Sequence, residues 1–151
     1  MAQNIFSSSD YELIVKRVGK LQPSCQRRWG KMNVLQMLEH CSLQLSLALG
    51  EIKQSTFEGP SFLRTSLCRW FALYGMPWTR NLRTPSKMNM LSNNVATSDF
   101  ETAKARLTEL LTLIKASKVL APHPFLGSMS QKDWGRLIWI HLDHHLRQFG
   151  G

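Results

Sequence analysis

The stretch Trp134-Gly135-Arg136-Leu137-Ile138-Trp139-Ile140-His141-Leu142-Asp143-His144-His145-Leu146-Arg147-Gln148 decides how this chain folds. Trp134, Ile138, His141, His145 and Gln148 recur at spacings of four, three, four and three. Positions three and four apart share one face of a helix, so this is the seam of a helix packed in a bundle. Two histidines stand on a seam otherwise held by Trp and Ile. Buried imidazoles need partners for their polar atoms, and one metal ion would satisfy both.

Helical signatures continue outward from this segment. Helices are predicted over 8–22, 33–49, 60–75, 98–117 and 130–149, with no sheet of consequence. Ser9 with Glu12, Asn33 with Gln36 and Ser98 with Glu101 have capping-box spacing, and Ser130 with Asp133 opens the last helix. Pro23 closes the first helix, Gly50 caps the second and Pro60 opens the third. Val34, Leu38, Cys41, Leu45, Ala48 and Leu49 form an apolar stripe, and Met37, His40, Gln44 and Leu47 adjoin it. His40 therefore stands at the edge of that apolar face. Phe100, Ala103, Leu107, Leu110, Leu111 and Ile114 give the fourth helix its buried side. Residues 76–97 hold Pro77, Pro85 and four asparagines and read as a long crossover, a type of loop that often covers a functional site. His123, between Pro122 and Pro124, is expected to pin a loop over the bundle end.

With 151 residues the chain is read as one domain, 1–151, large enough to bury a core. No apolar run approaches the roughly 20 residues of a membrane span, and the first ten residues lack a secretory pattern. Cys25, Cys41 and Cys68 are odd in number and form no C-x-x-C, so reduced thiols in a cytoplasmic protein are expected. The net charge is +9, and residues 59–98 contain no acid but hold Arg64, Arg69, Arg80, Arg83 and Lys87. Such a surface attracts small anions, phosphates or nucleic acid, or is simply a solvated basic face. Trp70 and Trp78, in the same region, are core or loop anchors or a stacking surface for a planar ligand.

His141 and the histidine one turn on can point at a common spot, and His40 on a facing helix would make a third donor. Three imidazoles leave one position of a tetrahedral metal open, as catalysis requires. His144 and His145 lie three and four residues after His141, and spacing alone does not separate them. Cys41 lies about 100° round the helix from His40 and is expected to pack in the core. Gln148, one turn beyond His145, would orient a ligand or a substrate, or is an ordinary polar residue near the chain end. No G-x-S-x-G, phosphate-cradling glycine loop or paired carboxylate is present. From the unperturbed imidazole pKa of about 6.5, metal-linked stability is expected to shrink by about pH 5.

The segments Arg28-Trp29-Gly30-Lys31-Met32-Asn33 through His40, His123-Pro124-Phe125-Leu126-Gly127, Trp134-Gly135-Arg136-Leu137 and His141 to Gly150 resemble the DinB/YfiT-like superfamily of helical metalloproteins, in its branch of short bacterial proteins. The resemblance runs over nearly the whole chain. It implies an all-α four-helix bundle connected up-down-down-up, with an extra short or N-terminal helix. It also implies a divalent metal, zinc or nickel, held by His40, His141 and His145, with Gln148 closing an H-x-x-x-H-x-x-Q pattern. The chain reads His145-Leu146-Arg147-Gln148 where the commonest form is H-R-G-Q, so the ligand spacing carries over and a shared substrate does not. The activity implied is metal-dependent, a thiol-dependent S-transferase or a hydrolase. The partners implied are a small-molecule substrate and a low-molecular-weight thiol, with neither nucleic acid nor membrane, and with a homodimer left open. The rival reading is a non-catalytic bundle that binds an anionic ligand or nucleic acid.

Overall fold

A computed structural model describes residues 2–52, 60–75, 78 and 99–151. These residues form helices α1 (Ser8–Gly19), α2 (Val34–Ala48), α3 (Ser66–Trp70), α4 (Phe100–Ala116) and α5 (Gln131–Gln148). The described residues contain no strand; their one β-type pairing is an isolated bridge between His123 and Gly127. The fold is therefore all-α. Helix α2 packs chiefly along α4 and also meets α5, while α1 packs against α5 and α4. The shared interior holds Ile14, Leu38, Leu45, Leu107, Leu110, Leu111, Ile114, Trp134 and Ile138, all essentially inaccessible to water.

Two of the predicted caps form as expected. Asn33 accepts from the Gln36 N–H at 2.8 Å while the Gln36 side chain accepts from the Asn33 N–H at 2.9 Å, a complete capping box. Ser130 Oγ accepts from the Asp133 N–H at 3.1 Å and donates to its carboxylate at 2.9 Å. Gly50 ends α2 with φ +77°. Its N–H bonds to Leu47 O, and the Glu51 N–H reaches back to Ser46 O. These two bonds satisfy carbonyls that the helix end leaves without partners.

Elsewhere the boundaries are corrected. Ser9 lies inside α1, whose N-cap is Ser7 with no side-chain capping bond. Asn4 organises that end instead: its N–H bonds to Asp10 and its amide to Lys132 O. The first helix stops at Gly19 rather than 22, and Lys104 of α4 donates to the carbonyls of Gly19 and Leu21 at 2.8 and 3.0 Å. Helix α4 is capped by Asp99, which accepts from the Thr102 N–H at 3.0 Å; Ser98 of the predicted capping box lies outside the described residues. The single helix expected over 60–75 is three short pieces: a 3-10 turn Ser61–Arg64, α3, and a π-type turn Phe71–Gly75. Thr65 breaks the run. Its backbone is extended, and its hydroxyl accepts from the Cys68 N–H. Most of the crossover 76–97, with Arg80, Arg83 and Lys87, lies outside the described residues.

Candidate metal centre

Helix α5 turns His141 and His145 inward, and α2 brings His40 to meet them. All three are buried, with relative exposures of 4%, 6% and 8% for His40, His141 and His145. Their ligand nitrogens lie within 4.8 Å of one another. The ring centroids stand 4.7–4.9 Å apart, and His40 Nε2 is 3.0 Å from His141 Nε2. Nitrogens on a tetrahedral zinc stand about 3.4 Å apart, given bonds of about 2.0–2.1 Å. Small side-chain rotations therefore suffice to bring all three onto one ion.

His144 turns elsewhere. Its ring lies 5.7 Å from Trp29 and 6.3 Å from Trp78, outside the three-nitrogen cluster. Cys41 is buried in the core, where burial pushes its thiol up, and it lies outside the group of atoms close enough to share an ion. His123 sits apart in the loop. Its Nδ1 accepts from the N–H groups of Phe125 and Leu126, both at 3.2 Å, and its ring packs 5.4 Å from that of Trp134. It pins the loop, as its position between two prolines suggested.

Gln148 sets the tautomer of His145. The Gln148 amide nitrogen donates to Trp29 O at 2.7 Å, which turns Gln148 Oε1 toward His145 Nδ1 at 2.9 Å. A carbonyl oxygen can only accept, so the proton sits on Nδ1 and the lone pair is on Nε2. That is the arrangement found behind metal-ligating histidines. Gly30 makes room for it: a Cβ there would fall 2.5 Å from Gln148 Nε2, and its φ of +77° also favours glycine. In the sequence Trp29 and Gly30 stand out only as part of the segment Arg28 to His40, with no role of their own. The Trp29-Gly30 pair beside a terminal Gln was the available signal.

Burial, with the mutual repulsion of the imidazoles, holds His141 well below its ordinary pKa. Burial likewise lowers His145 to about 3, against a smaller opposing effect from Gln148. Both rings are therefore neutral in the fold, the form that binds metal. Proton competition at these two residues therefore begins at a lower pH than the unperturbed value of about 6.5 implies. The donor set fits a divalent ion such as zinc: three buried imidazoles, two of them held neutral and one with its tautomer fixed. His141 Nδ1 is buried with no hydrogen-bond partner among the described residues.

A cavity of about 440 Å3 adjoins the cluster. Trp78 and His144 form the shared wall, since Trp78 is 5.9 Å from His141 and His144 is 5.1 Å from His145. Among the described residues its arginines are Arg28, Arg136 and Arg147; Arg64 and Arg69 of the acid-free stretch do not line it. Arg69 instead ties α3 to the His123 loop through Arg64 O and Leu126 O. Trp70 is exposed and takes no part in the cavity.

Fold and site together define an all-helical protein with a buried three-histidine cluster beside a cavity. The chain belongs to the family described as a protein of unknown function, DUF1569, whose family model matches residues 6–150. No curated protein and no solved structure matches it.

Proposed function

We propose that this chain is a metal-dependent enzyme related to the DinB/YfiT-like superfamily, with His40, His141 and His145 as the ligands of one divalent ion. The observation that carries this reading is the convergence of three buried imidazoles whose nitrogens lie within 4.8 Å of one another. The fixed tautomer of His145 supports it further. Contacts of α5 with α1 and α2, and of α4 with α1 and α2, support a four-helix bundle of that superfamily's kind. Bound there, zinc or nickel would supply Lewis acidity to a thiol or a water at its open position.

The chain's own residues have separate tasks in this reading. His40, His141 and His145 hold the ion, and Gln148 keeps the His145 lone pair on Nε2. Trp78 and His144 separate the ion from the cavity and are the groups a substrate passes. The reaction is then a thiol-dependent S-transfer or a hydrolysis on a small molecule, with a low-molecular-weight thiol as co-substrate in the first case. No helix among the described residues is long and apolar enough to cross a membrane, which suits a small-molecule enzyme of the cytoplasm.

The test is elemental analysis and zinc titration of protein purified without a histidine tag. Wild type should bind about one equivalent, and His141→Ala should lose it. Failure of wild type to bind zinc or nickel would overturn the reading.

A further inference from the structure

We infer that the cavity beside the histidine cluster is a binding site for a small organic anion: an oxyanion head group on a planar or apolar body. The cavity's place next to a reactive centre rests on the metal reading above; its ligand chemistry does not. At about 440 Å3 it falls within the range of small-molecule sites.

The charge of the wall argues for an anion. Among the described residues, Arg28, Arg136 and Arg147 stand against a single lining carboxylate, Asp143. Asp143 is already engaged from the far side by Arg17, at 2.7 Å, as well as by Arg147. The wall therefore keeps an excess of positive charge that an anion would neutralise. Arg136 is fixed in place: its Nε donates to Leu73 O at 3.1 Å and one Nη to Gln3 O at 3.3 Å. Its guanidinium carbon lies 5.9 Å from the Tyr74 ring and 5.7 Å from that of Trp139. A guanidinium held this way loses little freedom when it binds an oxyanion.

A second observation points the same way. Trp139 lines the cavity and is only 7% exposed, yet its indole N–H has no acceptor among the described residues. A buried donor without an acceptor is costly, and an indole can only donate. An oxyanion oxygen would meet that need once a small rotation of the ring brings the N–H, now shielded from solvent, to the cavity wall. Trp29 and Trp78 supply aromatic surface for the rest of the ligand. A neutral polar ligand would leave the guanidinium charge unanswered, and a purely apolar one would leave both charge and N–H unanswered.

The inference is tested by calorimetric titration with phenylacetate, phenyl phosphate and the neutral isostere phenylacetamide, at low ionic strength. At least one anion should bind about tenfold more tightly than the amide, as charge-assisted hydrogen bonds would give. The tighter of the two names the head group as carboxylate or phosphate. Arg28→Gln should cut anion affinity about tenfold and leave the amide unchanged. Trp139→Phe keeps a ring but removes the N–H; it should weaken the anion while the melting temperature holds or rises. Equal affinity for anion and amide, no binding of either anion, or unchanged anion affinity in both variants would overturn the inference. None of the three clustered histidines lines the cavity, so His141→Ala should lose zinc and keep the anion. A wild type that holds phenylacetate but no zinc would sink the metal reading alone. One that holds zinc but no anion would sink this inference alone.

Discussion

Two histidine regions of this molecule are built from the same residue type and have imidazoles lowered in pKa by the same cause, yet they do different things. In the loop, His123 is lowered to about 4 by burial, and its Nδ1 is satisfied by two backbone N–H groups. In the cluster, His145 is lowered to about 3, mainly by burial, but only its outer nitrogen is met by a neighbour that fixes it, Gln148. Its other nitrogen belongs to the group that faces His40 and His141. Burial and a low pKa therefore do not distinguish a structural histidine from a candidate ligand. What distinguishes them is whether the ring nitrogen ends on backbone N–H groups or faces the ring nitrogens of other imidazoles.

The largest effect expected from this comparison is common to both regions. The folded pKa values of His123, His141 and His145 are all depressed, so the unfolded chain, with imidazoles near about 6.5, takes up protons first as pH falls. The stability they contribute is complete above about pH 6.5 and is lost as pH falls toward the folded values, about 4 for His123 and about 3 for His145. Each group contributes up to about 1.4 kcal/mol per pH unit in that window. Urea unfolding of metal-free protein at pH 7.5 and pH 5 should show a loss of several kcal/mol. Equal stability at the two pH values would mean the imidazoles are not held neutral.

Gln148→Leu sharpens the cluster side. It removes the acceptor that fixes His145, and should cost about 10–100-fold in zinc affinity, as loss of such outer hydrogen bonds does. An unchanged zinc affinity would remove Gln148 from the site. His123→Ala sharpens the loop side. It leaves two backbone N–H groups without their acceptor and should cost about 1–3 kcal/mol of stability with zinc affinity intact. A loss of zinc affinity there would erase the contrast. The smallest effect is expected outside both regions: Asn33→Ala removes half of the α2 capping box and should cost about 1 kcal/mol, with no change at the site.

The helical class and most of the cluster were legible because they rest on local rules. Asn33 with Gln36 and Ser130 with Asp133 have side chains that reach the third N–H along the chain, a matter of spacing alone. The α5 seam was legible because two imidazoles on an otherwise apolar face are carried into the interior, where their nitrogens must meet a partner. What was not legible depends on contacts distant in sequence. Ser9 and Glu12 have capping spacing, but Asn4 ties the N-terminal segment to α5, and Gly135 permits that approach, since a Cβ there would collide with Asn4. The run 60–75 looked continuous because its break is a single residue, Thr65, whose extended backbone no periodicity reveals. His144 and His145 both share a face with His141; spacing left the two open, the resemblance named His145, and in the structure the rotation of α5 against α2 separates them. The arginines of the cavity come from a loop and from two turns of α5, so no stretch of sequence displays them together.

The central claim is that His40, His141 and His145 form a metal site while His123 does not. The most direct measurement is a melting series at about pH 7.5, with and without zinc, for wild type, His141→Ala and His123→Ala. At a hundredfold excess of zinc over its dissociation constant, wild type and His123→Ala should each gain about 2.7 kcal/mol, and His141→Ala almost none. Equal gains in wild type and His141→Ala would contradict the account.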